Sequence, residues 1–352
     1  MFDGFVFRKE WWMSRKRVTS GMRPTGSLHL GNLLGALNNW VKLQDEYDCF
    51  YFIVDWHALT TPGGRGAVGY ENVGSLRDRV MELAVDWLAV GLDPNKSTIF
   101  IQSQVSEVAE LHLLFSMITP LGWLERNPTY KDMVQSYKIE YPSYGLLGYP
   151  TLQSADILLY KGDYVPVGKD QEAHVNMTRD LAARFNSLYG RDVFPITEVL
   201  LTEVPKVPGI DGVDRKMSKS SGNYIALSFT EEETTEKVKS MFTDPVKIRK
   251  NDPGHPDGCV VYTFHGIYNR ENQQTIRKEC EGGERGCVAC KMELAEKMNG
   301  ALREMRQRRT EIEKNEKMLR EVLNDGASRA RRVAEATMKD VRDVMNLPPR
   351  EL

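Results

Sequence analysis

The sequence predicts an α/β fold: a parallel sheet covered by helices, followed by a smaller helical region. Three observations predict it. Strand-like and helix-like segments alternate through the first hundred residues. The strand-like segment Cys49 to Val54 is an unbroken apolar run and Ile99 to Ile101 a shorter one, the mark of strands buried on both faces. Past about residue 225 the chain turns helical, charged and rich in Met.

Arg17 to Gly21 forms a short strand ending at glycine. Residues 31–46 carry Leu33, Leu34, Leu37, Trp40 and Val41 at helical spacing. Cys49 to Val54 is a continuous apolar strand. Residues 72–90 repeat the helical pattern with Leu76, Val80, Leu83, Ala84, Trp87 and Leu88, and Thr98 to Gln102 gives a third buried strand. A sheet of this kind takes its ligands at the carboxyl ends of its strands. Residues 20–32, 55–60, 102–106 and 165–171 are therefore where chemistry is expected. In the helical region, Glu304, Arg306, Arg308, Arg309, Glu311, Glu313, Lys314 and Lys317 mark a solvated face. Asn324 to Ala327 breaks the helix, and a last helix over 327–346 stops at Pro348-Pro349. No internal repeat or low-complexity tract is present.

The chain has 352 residues, enough for one large or two ordinary domains with a sizeable core. With 41% hydrophobic and 27% charged residues, its composition excludes disordered and fibrous classes. Lys and Arg number 47 against 49 Asp and Glu, a net charge of −2. That excludes a uniformly basic packaging protein, though not a local nucleic-acid face. No stretch reaches the ~20 apolar residues of a membrane helix, so no membrane partner is expected. The aromatic, charge-interrupted N-terminus lacks the order of a secretory signal. Residues 1–13 are expected to be a loosely ordered extension, with Met13 an alternative start that would leave residues 1–12 as a leader or partner-binding tag, and the protein is expected in the cytoplasm.

Two motifs carry the chemistry. Ser20-Gly21-Met22-Arg23-Pro24-Thr25-Gly26-Ser27-Leu28-His29-Leu30-Gly31-Asn32 leads from a strand end to a helix start. Its glycines allow close backbone approach, and the free amides of the helix start suit a polyphosphate. His29 and Asn32 add side-chain donors. Lys216-Met217-Ser218-Lys219-Ser220 follows about 190 residues later. Two lysines three apart on a loop suit a pyrophosphate leaving group. Each motif alone also reads as an ordinary turn or linker. The pair is specific.

Together they resemble the two signatures of the class I aminoacyl-tRNA synthetases, with Asn32 in place of the second signature histidine. The resemblance spans nearly all of residues 17–346. It extends to Ile53 through Thr60, Leu124-Glu125-Arg126, Tyr149-Pro150-Thr151-Leu152-Gln153-Ser154-Ala155-Asp156-Ile157-Leu158 and Val165-Pro166-Val167-Gly168-Lys169-Asp170-Gln171, all similar to the tryptophanyl branch. It implies a Rossmann-like catalytic domain of the HUP type over 14–224 and a helical anticodon-binding domain over 225–352. It also implies L-tryptophan, MgATP and tRNA(Trp) as substrates, and a homodimer. Tyrosine activation is the nearest alternative, since Tyr149, Gln153 and Asp156 also satisfy the tyrosyl spacing. A synthetase-like regulatory protein is the alternative of another class.

By the resemblance, Arg23, Pro24, Thr25, Gly31, Asn32, Gly168, Lys169, Asp170, Val207, Lys216, Met217, Ser218, Lys219 and Ser220 line ATP, with Lys131 a further phosphate contact. Asp156, Gln153, Gln171, His57 and Val167 line tryptophan, Asp156 accepting the indole N–H. Indole offers one donor and no acceptor, so a buried carboxylate is its natural partner. As a bare sequence feature, Asp156 also reads as a helix-start residue near Pro150. Lys169 departs from the family's acidic residue. His29, Asn32, Lys216 and Lys219 are the expected catalytic groups, stabilising charge while the substrate carboxylate attacks the α-phosphate.

Cys259, Cys280, Cys287 and Cys290 are spaced C-x20-C-x6-C-x2-C. In a reducing compartment this reads as a metal site, zinc or iron–sulfur. A branch of the tryptophanyl enzymes carries a similar series holding a [4Fe–4S] cluster, with a first interval two residues longer; the resemblance implies the cluster here, with zinc or metal-free cysteines the alternatives. Cys49 reads as a small core residue. For the tRNA face, Arg306, Arg308 and Arg309 and Arg329, Arg331 and Arg332 are candidates, with a merely solvated helix surface the alternative reading.

Overall fold

The structure is a computed structural model describing residues 15–63, 68–167, 172–201, 207–219 and 221–348, with only the backbone of 172–174. The N-terminal extension, Gly168, Lys169, Asp170, Gln171 and Ser220 lie outside the described residues.

Five parallel strands form the central sheet in the order β3-β2-β1-β4-β5: β1 Arg17–Met22, β2 Asp48–Ile53, β3 Ser97–Ile101, β4 Tyr164–Val167 and β5 Glu198–Leu201. The strand order reverses between β1 and β4. In open α/β sheets that point opens the ligand crevice. The first motif leaves β1 there, and residue 168 follows β4.

Each expected strand is present to within one residue at either end. The first helix is less regular than its periodicity suggests. It starts as α1 (Leu30–Asn32), widens into a π turn at Leu33–Leu37 and continues as α2 (Asn38–Leu43). After β2 come α3 (Asp55–Ala58) and α4 (Leu76–Val90). After β3, α5 (Glu107–Ile118), α6 (Leu121–Glu125), α7 (Pro128–Ser136) and α8 (Tyr144–Leu158) lead to β4, and α9 (Glu172–Tyr189) leads to β5. A small hairpin, β6 (Pro208–Gly209) and β7 (Gly212–Lys216), presents the second motif.

The helical region comprises α10 (Glu231–Lys239), α11 (Val260–Tyr268), α12 (Gln273–Glu281), α13 (Cys287–Glu313) and α14 (Glu316–Val344). Its core is continuous with that of the sheet: Met305, Leu319 and Leu323 join one cluster with Val18, Tyr51 and Trp87. Trp40 stacks on Tyr51 at 4.5 Å and meets Trp87 edge-on at 5.2 Å.

Two expectations need correction. The break at Asn324 to Ala327 does not occur, and α14 runs straight through it. Gly326 lies inside α14 where the helix presses on β3. A Cβ there would stand 1.8 Å from the Ile99 carbonyl oxygen. The glycine makes room for a strand and does not end the helix. With it, α14 covers the sheet edge that β3 would otherwise expose.

Most of the arginines considered for tRNA are already engaged. Arg306 donates to Asn299 and Thr234, and Arg308 to the Ala89 carbonyl. Arg309 pairs with buried Asp86 at 2.8 Å. Arg329 donates to the Pro94 and Ser97 carbonyls, and Arg331 to that of Gln104. Arg306 ties α13 to α10, Arg308 and Arg309 tie α13 to α4, and Arg329 and Arg331 tie α14 to the two ends of β3. Of these six arginines, Arg332 is exposed and has no described side-chain partner.

Candidate functional site

The two motifs, far apart in sequence, meet at the end of β1. Leu30 N–H donates to the Ile225 carbonyl at 3.0 Å, and Leu227 N–H to that of Leu28 at 2.9 Å. Lys219 Nζ donates to the Gly26 carbonyl at 2.7 Å, and buried Met217 lies over Gly31. Gly26 has φ +143°, a backbone that favours glycine, and Lys219 folds across it.

His29 caps α1. Its Nδ1 accepts from Gly31 N–H at 3.1 Å, and its own N–H donates to Asn32 Oδ1 at 3.1 Å. An accepting Nδ1 leaves the ring hydrogen on Nε2. Burial, with Lys219 and Lys216 adding repulsion, lowers the His29 pKa to about 4. His29 therefore brings a neutral N–H donor to the site and no positive charge. Positive charge falls to the lysines. Burial also lowers the Lys219 pKa to about 8, with Arg79 pushing it down and Glu82 and Asp86 pulling it up.

Asn223 shapes the second motif. It accepts from Ser218 N–H at 2.8 Å and donates to Asp211 and to the Lys216 carbonyl. Helix α4 touches the first motif through Arg79, which donates to Ser27 at 3.1 Å. Lys216 is exposed at the end of β7, Val207 is buried beside it, and Pro24 is buried while Thr25 is partly exposed. Arg23 donates to Thr61 at 3.0 Å, while its Nε is buried with no partner among the described residues. Lys131 is exposed on α7 and makes no described contact with either motif.

A second constellation lies at the ends of β2 and β3. Asp156, 2% exposed, receives the Gln102 amide at 2.8 Å on Oδ1 and 2.7 Å on Oδ2. His57 Nε2 stands 3.0 Å from Oδ2. A carboxylate offers about four acceptor positions, so Oδ1 keeps acceptor capacity. Asp156 sits in the last turn of α8, with Pro150 inside that helix, so it is not a helix-start residue. Tyr149 and Gln153 share its face, and Val167 ends β4. His112 on α5 has a buried Nδ1 with no partner among the described residues.

Sequence reasoning reached residues 102–106 by the strand-end rule but did not single out Gln102. It also missed Thr61, Asn223, Arg79 and Asp86. The Asn223 signal was available: a polar residue three positions past Ser220, across Ser221-Gly222.

The four clustered cysteines line one cavity of about 30 Å³, together with Thr243, Pro256, Tyr262, Ile276 and Arg285. Cys259 precedes α11, Cys280 ends α12, and Cys287 and Cys290 lie in the first turn of α13. Burial raises the pKa of Cys259 and Cys280 and pushes Cys290 up to about 11. His265 Nε2 is 3.4 Å from the Cys290 sulfur. Among the described residues, no three His, Cys, Asp or Glu side chains already close around a single metal ion.

Residues 13–303 match the family model described as tRNA synthetases class I (W and Y). The chain belongs to that family. It is 46% identical over 336 residues to the tryptophan–tRNA ligase of Thermotoga maritima, covering 94% of this chain and 99% of the relative. It is 43% identical over 404 residues to that of Aquifex aeolicus, covering 94% and 100%. The tryptophanyl-tRNA synthetase of Campylobacter jejuni, solved in complex with ADP and tryptophan, superposes with a TM-score of 0.84 at 34% identity, covering 94% and 100%. The activity is tryptophan–tRNA ligation, with ATP as co-substrate.

Proposed function

We propose that the two motifs hold MgATP and that Asp156 selects tryptophan by its indole N–H. The observation that carries this reading is the contact of Lys219 with Gly26 at the strand-order reversal. The tryptophan carboxylate is already an anion at neutral pH, so its attack on the α-phosphate needs no general base. Lys216, Lys219, the amides at Gly31 and Asn32, and the His29 N–H stabilise charge on the α-phosphate and the departing pyrophosphate. Arg23, whose Nε has no hydrogen-bond partner among the described residues, adds positive charge to the same site in this reading. Pro24, Thr25, Val207, Met217 and Ser218 wall the nucleotide. Gly168, Lys169, Asp170 and Ser220 complete that wall in this reading, and Gln171 faces the amino acid. ATP–pyrophosphate exchange with each of the twenty amino acids tests it. Tryptophan alone supports exchange. Exchange with tyrosine, or with none, contradicts it.

Asp156 and His57, with Gln153 and Val167, form the tryptophan pocket in this reading. Asp156→Ala leaves the indole N–H without its acceptor, at a cost of about 1–3 kcal/mol in tryptophan affinity. Equilibrium titration with tryptophan measures it, and unchanged affinity removes Asp156 from this role.

Cys259, Cys280, Cys287 and Cys290 hold a [4Fe–4S] cluster in the same proposal. Four thiols on one cavity fit it, and burial raises the pKa of Cys259, Cys280 and Cys290, so a bound metal would be needed to hold those three as thiolates at neutral pH. The cluster would tie the starts of α11 and α13 to the end of α12, a structural duty remote from the reaction. Anaerobic purification followed by visible spectroscopy and metal analysis decides: about four irons per chain are expected, and zinc or no metal contradicts the cluster.

A second copy of this chain is proposed to cover Leu113, Met117, Leu121, Tyr141 and Tyr144, apolar side chains exposed along α5 to α8. Sedimentation velocity should give a dimer for the wild type and a monomer for Met117→Asp. A wild-type monomer contradicts it. The division near Tyr224, anticodon binding by the helical region and a cytoplasmic site complete the reading. No described helix is long and apolar enough to cross a membrane.

A further inference from the structure

We propose that Gln102 is a positioning residue for tryptophan selection, holding the Asp156 carboxylate so that Oδ1 receives the indole N–H. The inference rests on Asp156 being the indole reader. Gln102 is 1% exposed and opens the short turn that follows β3. Both ends of its amide are committed. Its Oε1 accepts from Trp56 N–H at 3.1 Å, at the start of α3. A backbone N–H can only donate, so the amide oxygen must face Trp56 and the nitrogen must face Asp156. The nitrogen then bridges both carboxylate oxygens.

The turn after β2 supplies the rest. His57, the neighbour of Trp56, occupies Oδ2 a second time. Oδ2 is thus shared by two partners and Oδ1 by one. The asymmetry leaves the open acceptor position on Oδ1. The last torsion of an aspartate is soft. With His57 alone, the carboxylate plane would turn about a single contact, and the open position would turn with it. Gln102 makes no described contact with either phosphate motif, and its side chain meets only the tryptophan side of the site, at Asp156 and at the Trp56 N–H beside His57.

The test compares tryptophan with its benzothiophene analogue, in which sulfur replaces the ring N–H, in ATP–pyrophosphate exchange. Gln102→Met and Gln102→Leu should each raise KM for tryptophan. Each should lower the tryptophan-over-analogue ratio of kcat/KM about tenfold, roughly the worth of one hydrogen bond. KM for ATP and kcat at saturating tryptophan should stay as in the wild type. In the Asp156→Ala background, Gln102→Met should lower the ratio no further.

An unchanged ratio in the Gln102 variants, while Asp156→Ala loses it, overturns the positioning role. So does a further loss in the double variant, or a parallel loss in kcat and ATP KM that marks a packing defect. An unchanged ratio in Asp156→Ala overturns the underlying reading instead. Two variants of different shape keep the result readable should one fail to fold.

Discussion

Lys219→Ala lowers the rate of tryptophan-dependent ATP–pyrophosphate exchange by about 10²–10³-fold, the usual loss on removing one charge-stabilising donor from a preorganised site. Affinity for tryptophan changes little, because Lys219 stands with Gly26 and the phosphate motif and not with Asp156. The ammonium is already desolvated before ATP arrives, so little reorganisation accompanies the reaction. Neutral His29 cannot compensate, since its pKa of about 4 keeps it uncharged across any ordinary assay. Stopped-flow or exchange kinetics read the effect. A variant with wild-type exchange would remove Lys219 from catalysis.

Gly326→Val destabilises the fold by at least about 2 kcal/mol, within or beyond the usual cost of overpacking. The clash is with backbone, the Ile99 carbonyl, so no side-chain rotation relieves it. Helix α14 would have to lift from β3, drawing Arg329 from the Pro94 and Ser97 carbonyls. Gly326→Ala meets the same atom and should also lose stability, although alanine is the better helix former in isolation. The midpoint of urea denaturation measures both. An unchanged midpoint for Gly326→Ala would contradict the close approach.

The contrast at Gly326 shows where sequence reading stops. Strands β2 and β3 were legible because a strand buried on both faces is largely apolar, whereas β1, with only Val18 and Met22 apolar, was legible chiefly from its place before the glycine-rich motif. The two motifs were legible because their spacing brings glycines and lysines to strand ends. Gly326 was misread because glycine lowers helix propensity, and only the neighbouring strand explains its presence inside a helix. The arginines of α13 and α14 were misread for a related reason. Charge spacing shows that they share a helix, but not that one face meets the carbonyls of Ala89, Pro94 and Ser97. Gln102 was hidden more deeply, since its role depends on what each end of the amide touches. The four cysteines that spacing groups together line one cavity.

The central claim is that a protonated, desolvated Lys219 holds the phosphates. Its most direct test is the pH dependence of kcat/KM for ATP in pyrophosphate exchange, which reports the free enzyme. The Lys219 pKa is lowered to about 8, so the ammonium is charged below that pH and neutral above it. The wild-type profile should be level up to about pH 8 and then fall about tenfold per unit, while Lys219→Arg, whose guanidinium stays charged, should lack that fall. A shared profile for the two proteins through pH 9 would contradict the account.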